Sequence, residues 1–70
     1  MATLVRAANA HSLFWIVGED GRRLGRVWGL DGFWRWSLAG AESRDAASFE
    51  AAQADALAAA ERLTRGAIAA

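Results

Sequence analysis

Apolar and polar positions follow a strand period over the first half of the chain and a helix period over the second. Residues 12–17 read Ser-Leu-Phe-Trp-Ile-Val, an aromatic and β-branched run with no glycine or proline, which predicts a strand. Gly18-Glu19-Asp20-Gly21 then reads as a turn, residues 22–30 as a second strand, and Asp31-Gly32 as the strongest two-residue hairpin signal in the chain. Residues 33–38 alternate cleanly, with Trp34, Trp36 and Leu38 on one face and Phe33, Arg35 and Ser37 on the other. Two successive hairpins make a three-stranded antiparallel meander.

On the second strand Gly25, Val27 and Gly29 alternate with Leu24, Arg26, Trp28 and Leu30. The small set would let a helix approach closely, which places Val27 in the core and puts Arg26, Trp28 and Arg35 together on the open face. Gly25 and Gly29 equally mark a place where a bulge could change the phase. The first strand is too uniformly apolar to phase.

Ser48 is the expected N-cap of a helix over residues 48–65, with Glu50 in its first turn and Gly66 as the stop. At about 100° per residue, Phe49, Ala52, Ala56, Ala60 and Leu63 fall on one stripe with Leu57 at its edge, while Glu50, Asp55, Glu61, Arg62 and Arg65 lie away from it. Residues 1–11 are weakly patterned: Thr3-Leu4-Val5 adds a further strand, or the segment stays flexible. The expectation is an α+β fold, a three-stranded antiparallel meander packed on one face by a C-terminal α-helix, forming a single domain over residues 1–70.

Seventy residues leave room for one core. A chain of this size buries only roughly 60% of the surface its unfolded form exposes. Four tryptophans and three phenylalanines supply the bulk, each ring burying about 150–250 Å² when enclosed. One helix and one small sheet can hardly enclose all seven, so aromatic surface should remain exposed, and a contiguous patch of that kind usually marks an interface. The chain has no cysteine, which excludes a disulfide-framed scaffold. The first ten residues do not read as a secretory signal and no run approaches the length of a bilayer span, so the expected location is cytoplasmic, without membrane association.

Net charge is zero, but the two halves differ. Up to Gly40, Arg6, Arg22, Arg23, Arg26 and Arg35 outnumber Glu19, Asp20 and Asp31 by two. From Ala41 onward Glu42, Asp45, Glu50, Asp55 and Glu61 outnumber Arg44, Arg62 and Arg65 by two. Sheet and helix should therefore carry opposite signs.

Little in the chain suggests chemistry. His11 is the single histidine and has no cysteine or second histidine to complete a zinc site. It reads as a surface or capping residue. The serines at 12, 37, 43 and 48 lie in no nucleophile motif. The glycines around Arg26 stand in a strand pattern rather than before a helix, so they do not form a phosphate-cradling loop. No catalytic residue, metal ligand or cofactor is expected. The informative feature is the open sheet face, where arginines interleave with aromatic rings. Such a face can contact phosphates and stack on bases, or it can be a cross-strand pair of Trp28 and Phe33 shielded by arginine stems.

Leu24-Gly25-Arg26-Val27-Trp28, Gly32-Phe33-Trp34-Arg35-Trp36-Ser37-Leu38 and Ser48-Phe49-Glu50-Ala51-Ala52 resemble segments of small uncharacterised proteins of high-GC bacteria and their phages. That the eight basic residues are all arginine fits the same origin. More distantly, three strands followed by a helix look like the arm-binding domain of phage integrases and the plant ethylene-response-factor DNA-binding domain. There strand arginines and tryptophans meet the major groove, which would nominate Arg22, Arg26, Trp28 and Arg35. The expected function is a non-enzymatic interaction module of phage or mobile-element type. It would bind a host protein or a protein–nucleic-acid assembly, as an anti-CRISPR-like inhibitor does, through Arg22, Arg26, Trp28, Phe33 and Arg35. The alternative is a DNA-binding module of the integrase-arm kind. Pairing of two copies through the same face is compatible with either.

Overall fold

The computed structural model describes the backbone of residues 1–69 and the side chains of residues 1–63. It is α+β: one antiparallel sheet and one C-terminal helix. The strands are β1 (Thr3–Arg6), β2 (Leu13–Val17), β3 (Arg23–Leu30), β4 (Phe33–Leu38) and β5 (Arg44–Ala46), followed by α1 (Phe49–Ala69). Spatial order equals chain order, so each strand pairs with its sequence neighbour.

The sheet has five strands where alternation alone marks three. Residues 1–11 supply β1 as an edge, and Arg44-Asp45-Ala46 adds a short opposite edge beside β4. Neither edge carries the period-two apolar pattern that reveals a half-buried strand. Each is held by its neighbour's free edge instead. At the β3–β4 hairpin Leu30 pairs with Phe33, and Gly32 takes φ +81° while Asp31 keeps a negative φ. That positive angle explains the glycine at the second turn position.

Register sorts the faces. Phe14 pairs with Val27 and Val27 with Trp36, while Ile16 pairs with Gly25 and Gly25 with Leu38. This side packs on α1: Ile16, Val27, Trp36, Ala52, Ala56 and Ala60 form the buried core, and Leu4, Phe14, Trp34, Leu38 and Phe49 pack around it. The Phe49 ring lies 4.8 Å from Phe14 and 4.9 Å from Trp34, closing the end of the core nearest the helix start. Trp36 is 7% exposed, and its Nε1–H finds no acceptor among the described residues.

At Gly25 and Gly29 the atoms that first crowd a side chain belong to the sheet and its edge. A Cβ on Gly25 would stand 2.1 Å from the Ser37 carbonyl oxygen and 2.8 Å from Leu38 Cα, both backbone atoms of β4. At Gly29 the space is taken by the Trp34 ring, 3.3 Å from where a Cβ would be, and by Ser12.

The helix is capped as its first residues predict: Ser48 Oγ accepts from Ala51 N at 3.1 Å, and Glu50 stands in the first turn. It does not stop at Gly66. A mid-helix glycine costs about 1 kcal/mol relative to alanine, and the strong helix formers around it carry the helix to Ala69. Ala52, Ala56 and Ala60 are fully buried as the stripe requires, but Leu63 is 48% exposed. One turn beyond Ala60 the stripe has run past the sheet. The side chain of Arg65, expected on the solvent side, lies outside the described residues.

Candidate interaction face

The face opposite α1 is built by the intervening positions. Leu13, Trp28, Arg35 and Asp45 form one rung across four strands, and Trp15, Arg26 and Ser37 form the next. Leu30 pairs with Phe33 at the hairpin end, and Val17 pairs with Arg23 at the other. Trp28 thus stands with Arg26, Phe33 and Arg35 on the side away from the helix, as the alternation of β3 and β4 predicts.

A bulge decides which further arginine joins them. Ile16 pairs with Gly25 but Val17 pairs with Arg23, so Leu24 is an extra residue on β3. Unbroken alternation would send residues 22 and 24 to the open face. The bulge instead packs Leu24 against the core and brings Arg23 over to the open side. Arg22, nominated from the sequence, lies before β3 begins. Its backbone N–H donates to Asp20 Oδ1 at 3.0 Å, and its Nε stands 4.0 Å from Asp20 Oδ2. Arg22 therefore belongs to the β2–β3 turn, and Arg23 takes the place expected for it.

Trp15 also belongs to this face, and alternation could not find it because residues 13–17 are apolar on both sides. The signal that locates it is pairing: once β3 is phased, the residue opposite Arg26 must share its face.

Each arginine on the face lies over an aromatic ring. The guanidinium carbon of Arg23 is 4.3 Å from the Trp15 ring centre, that of Arg26 is 4.5 Å from Trp28, and that of Arg35 is 5.5 Å from Phe33. All three are within the distance at which a ring face attracts a cation. In every case the arginine reaches one rung toward the Asp31–Gly32 turn. The rings therefore step diagonally over β2, β3 and β4, one strand and one rung at a time. Trp15, Trp28 and Phe33 are half-buried although no helix covers them, because the arginine stems lie across them.

Electrostatically the face holds Arg23, Arg26 and Arg35 against Asp45, an excess of two positive charges. Arg35 Nε donates to Asp45 Oδ1 at 2.6 Å, and this hydrogen bond raises the arginine pKa above its already high ordinary value. Arg35 is thus a permanent cation with a partner. Arg23 and Arg26 have rings beneath them and, among the described residues, no carboxylate beside them. Val5, 48% exposed, pairs with Trp15 and extends the apolar part of the face toward β1.

Elsewhere the surface holds less. His11 is exposed, with Arg6 Nη2 3.4 Å from its Nδ1. No group of three or more metal-ligating side chains gathers among the described residues. A groove of about 680 Å³ runs between α1 and the β4–β5 edge, lined by carboxylates and arginines of both signs, including Glu42, Arg44, Asp55 and Arg62. Among the described residues no helix is long and apolar enough to cross a membrane.

Comparison with known proteins finds no family model, no curated protein and no solved structure that matches the chain.

Proposed function

We propose that the chain is a non-enzymatic interaction module whose uncovered sheet face engages a macromolecular partner. The observation that carries this reading is the diagonal of Trp15, Trp28 and Phe33 with a guanidinium over each ring. Aromatic residues and arginine are the types enriched where binding energy concentrates in interfaces, because they combine large apolar area with oriented donors. A lone sheet facing water needs neither three rings nor three stacked arginines to stay folded, since its core is on the other side. The partner is a host protein or a protein–nucleic-acid assembly, and the phage or mobile-element setting rests on the resemblance of the strand and helix segments described above.

Affinity capture from a host lysate tests the reading. The native chain should retain a partner that Trp28→Ala and Trp15→Ala each lose, with both variants still folded by circular dichroism. A partner held equally well by both variants would move the contact off this face.

The same arginines support a second reading, a DNA-binding module of the integrase-arm kind. The excess of positive charge on the face favours it, while a net charge of zero weakens the long-range attraction to phosphate on which such binding depends. A gel-shift titration separates the two. DNA binding requires a shift at low salt that weakens steeply with ionic strength and a shallower slope for Arg26→Ala or Arg35→Ala.

A further inference from the structure

We infer that Arg23 and Arg26 are two open carboxylate seats, and that the partner segment they receive is an acidic, extended stretch of polypeptide. The inference rests on the proposed binding role of the sheet face and adds the chemistry of its partner.

The chain itself supplies the pattern. At Arg35 a guanidinium lies over the Phe33 ring and holds the carboxylate of Asp45 at 2.6 Å, and that carboxylate arrives on a short extended strand, β5. At Arg23 and Arg26 the ring-backed guanidinium is repeated, at shorter distances of 4.3 and 4.5 Å, with no carboxylate beside it among the described residues. A guanidinium has its five N–H donors in its own plane, so a ring against its face steadies the group and leaves the donors free. A carboxylate meets such a fork through two parallel hydrogen bonds.

Spacing favours an extended segment. Trp15 and Trp28 are one rung and one strand apart, which places the two seats about 8 Å from each other. Side chains on the same side of an extended peptide repeat every two residues, about 7 Å, and a glutamate side chain covers the difference. An acidic segment with carboxylates at alternate positions can therefore fill both seats at once, its remaining contacts falling on Val5 and Leu13. Single-stranded nucleic acid fits less well, because base stacking needs the ring faces that the arginines already cover.

The test is a tryptophan-fluorescence titration of the full chain at low salt, with a peptide of alternating glutamate and serine and, separately, an oligothymidylate of matching length. The glutamate peptide should bind, and Arg23→Gln and Arg26→Gln should each weaken it about three- to fivefold, the size expected of one exposed charge-assisted pair. Arg22→Gln should leave binding unchanged. Asp45→Ala should strengthen it by a similar factor, because it removes the acceptor held by Arg35 and frees a third seat. Replacing glutamate by glutamine in the peptide should abolish binding, a readout that needs no variant of the protein to fold. Tighter binding of the oligonucleotide, binding indifferent to Arg23 and Arg26, or equal binding of the glutamine peptide would overturn the inference. If the glutamate peptide fails while a captured partner still depends on Trp28, the seats are wrong and the face is right. A partner indifferent to Trp28 and Trp15 removes the face itself.

Discussion

Trp28 and Val27 are adjacent in β3 and belong to opposite worlds: Val27 is fully buried under α1, while the Trp28 ring faces away from the helix with Arg26 above it. Their separation is the alternation of one strand made visible, and it divides the molecule into a face that folds it and a face free to bind.

The bulge at Leu24 makes a direct prediction about the two neighbouring arginines. Arg23→Ala should shift the indole N–H resonance of Trp15 in a two-dimensional NMR spectrum, since it removes the cation 4.3 Å from that ring. Arg22→Ala should leave that resonance in place. The opposite result would mean that β3 continues without the extra residue.

Gly25 and Gly29 should respond unequally to alanine. At Gly25 the new methyl meets backbone of β4 that cannot step aside, so Gly25→Ala should cost about 2–4 kcal/mol or prevent folding. At Gly29 the obstacles are the Trp34 and Ser12 side chains, with distances of 3.2–3.3 Å, and the cost should be about 1 kcal/mol. Urea unfolding of the two variants checks the order.

Trp36 is the largest side chain of a small buried core, yet its indole N–H is unpaired among the described residues. Trp36→Phe removes that donor along with some volume, two effects of opposite sign, so its stability should stay within about 1 kcal/mol of the parent. Trp36→Ala leaves a cavity and should cost about 3–5 kcal/mol. Thermal or urea denaturation distinguishes them. A Trp36→Phe loss as large as that of alanine would mean that the N–H has a partner.

Ser48→Ala deletes the oxygen that accepts from Ala51 N at 3.1 Å, and should cost about 1 kcal/mol with the strands unaffected. Ser48→Asp should recover the loss, because it restores an acceptor and adds a negative charge at the helix start.

What could be read in the chain is what its side-chain chemistry states locally. Trp34-Arg35-Trp36 alternates too sharply to be anything but a strand with one buried and one open side, and Ser48 with Glu50 marks a helix start. These fix the α+β layout and the placement of Trp28, Phe33, Arg26 and Arg35. The features that escaped are set by neighbours. β5 is only three residues long, two of them charged, and exists because β4 offers an unpaired edge. Trp15 acquires its face only from pairing with Arg26. Arg22 and Arg23 exchange roles through one extra residue at Leu24, and nothing in the string Arg-Arg-Leu-Gly says which side of that bulge a given arginine takes. Leu63 matches the apolar stripe but lies beyond the sheet, and sequence periodicity does not record where the opposing layer ends.

The meander order of the strands also bears on how the chain reaches this state. Every pairing closes only a short loop between consecutive segments, so little chain entropy is lost before each contact forms. The Asp31–Gly32 connection is the shortest of these, and the core face is covered only once α1, next in line after β5, packs on it. The same simple connectivity, with a single helix after the last strand, covers one side of the sheet and leaves the other bare.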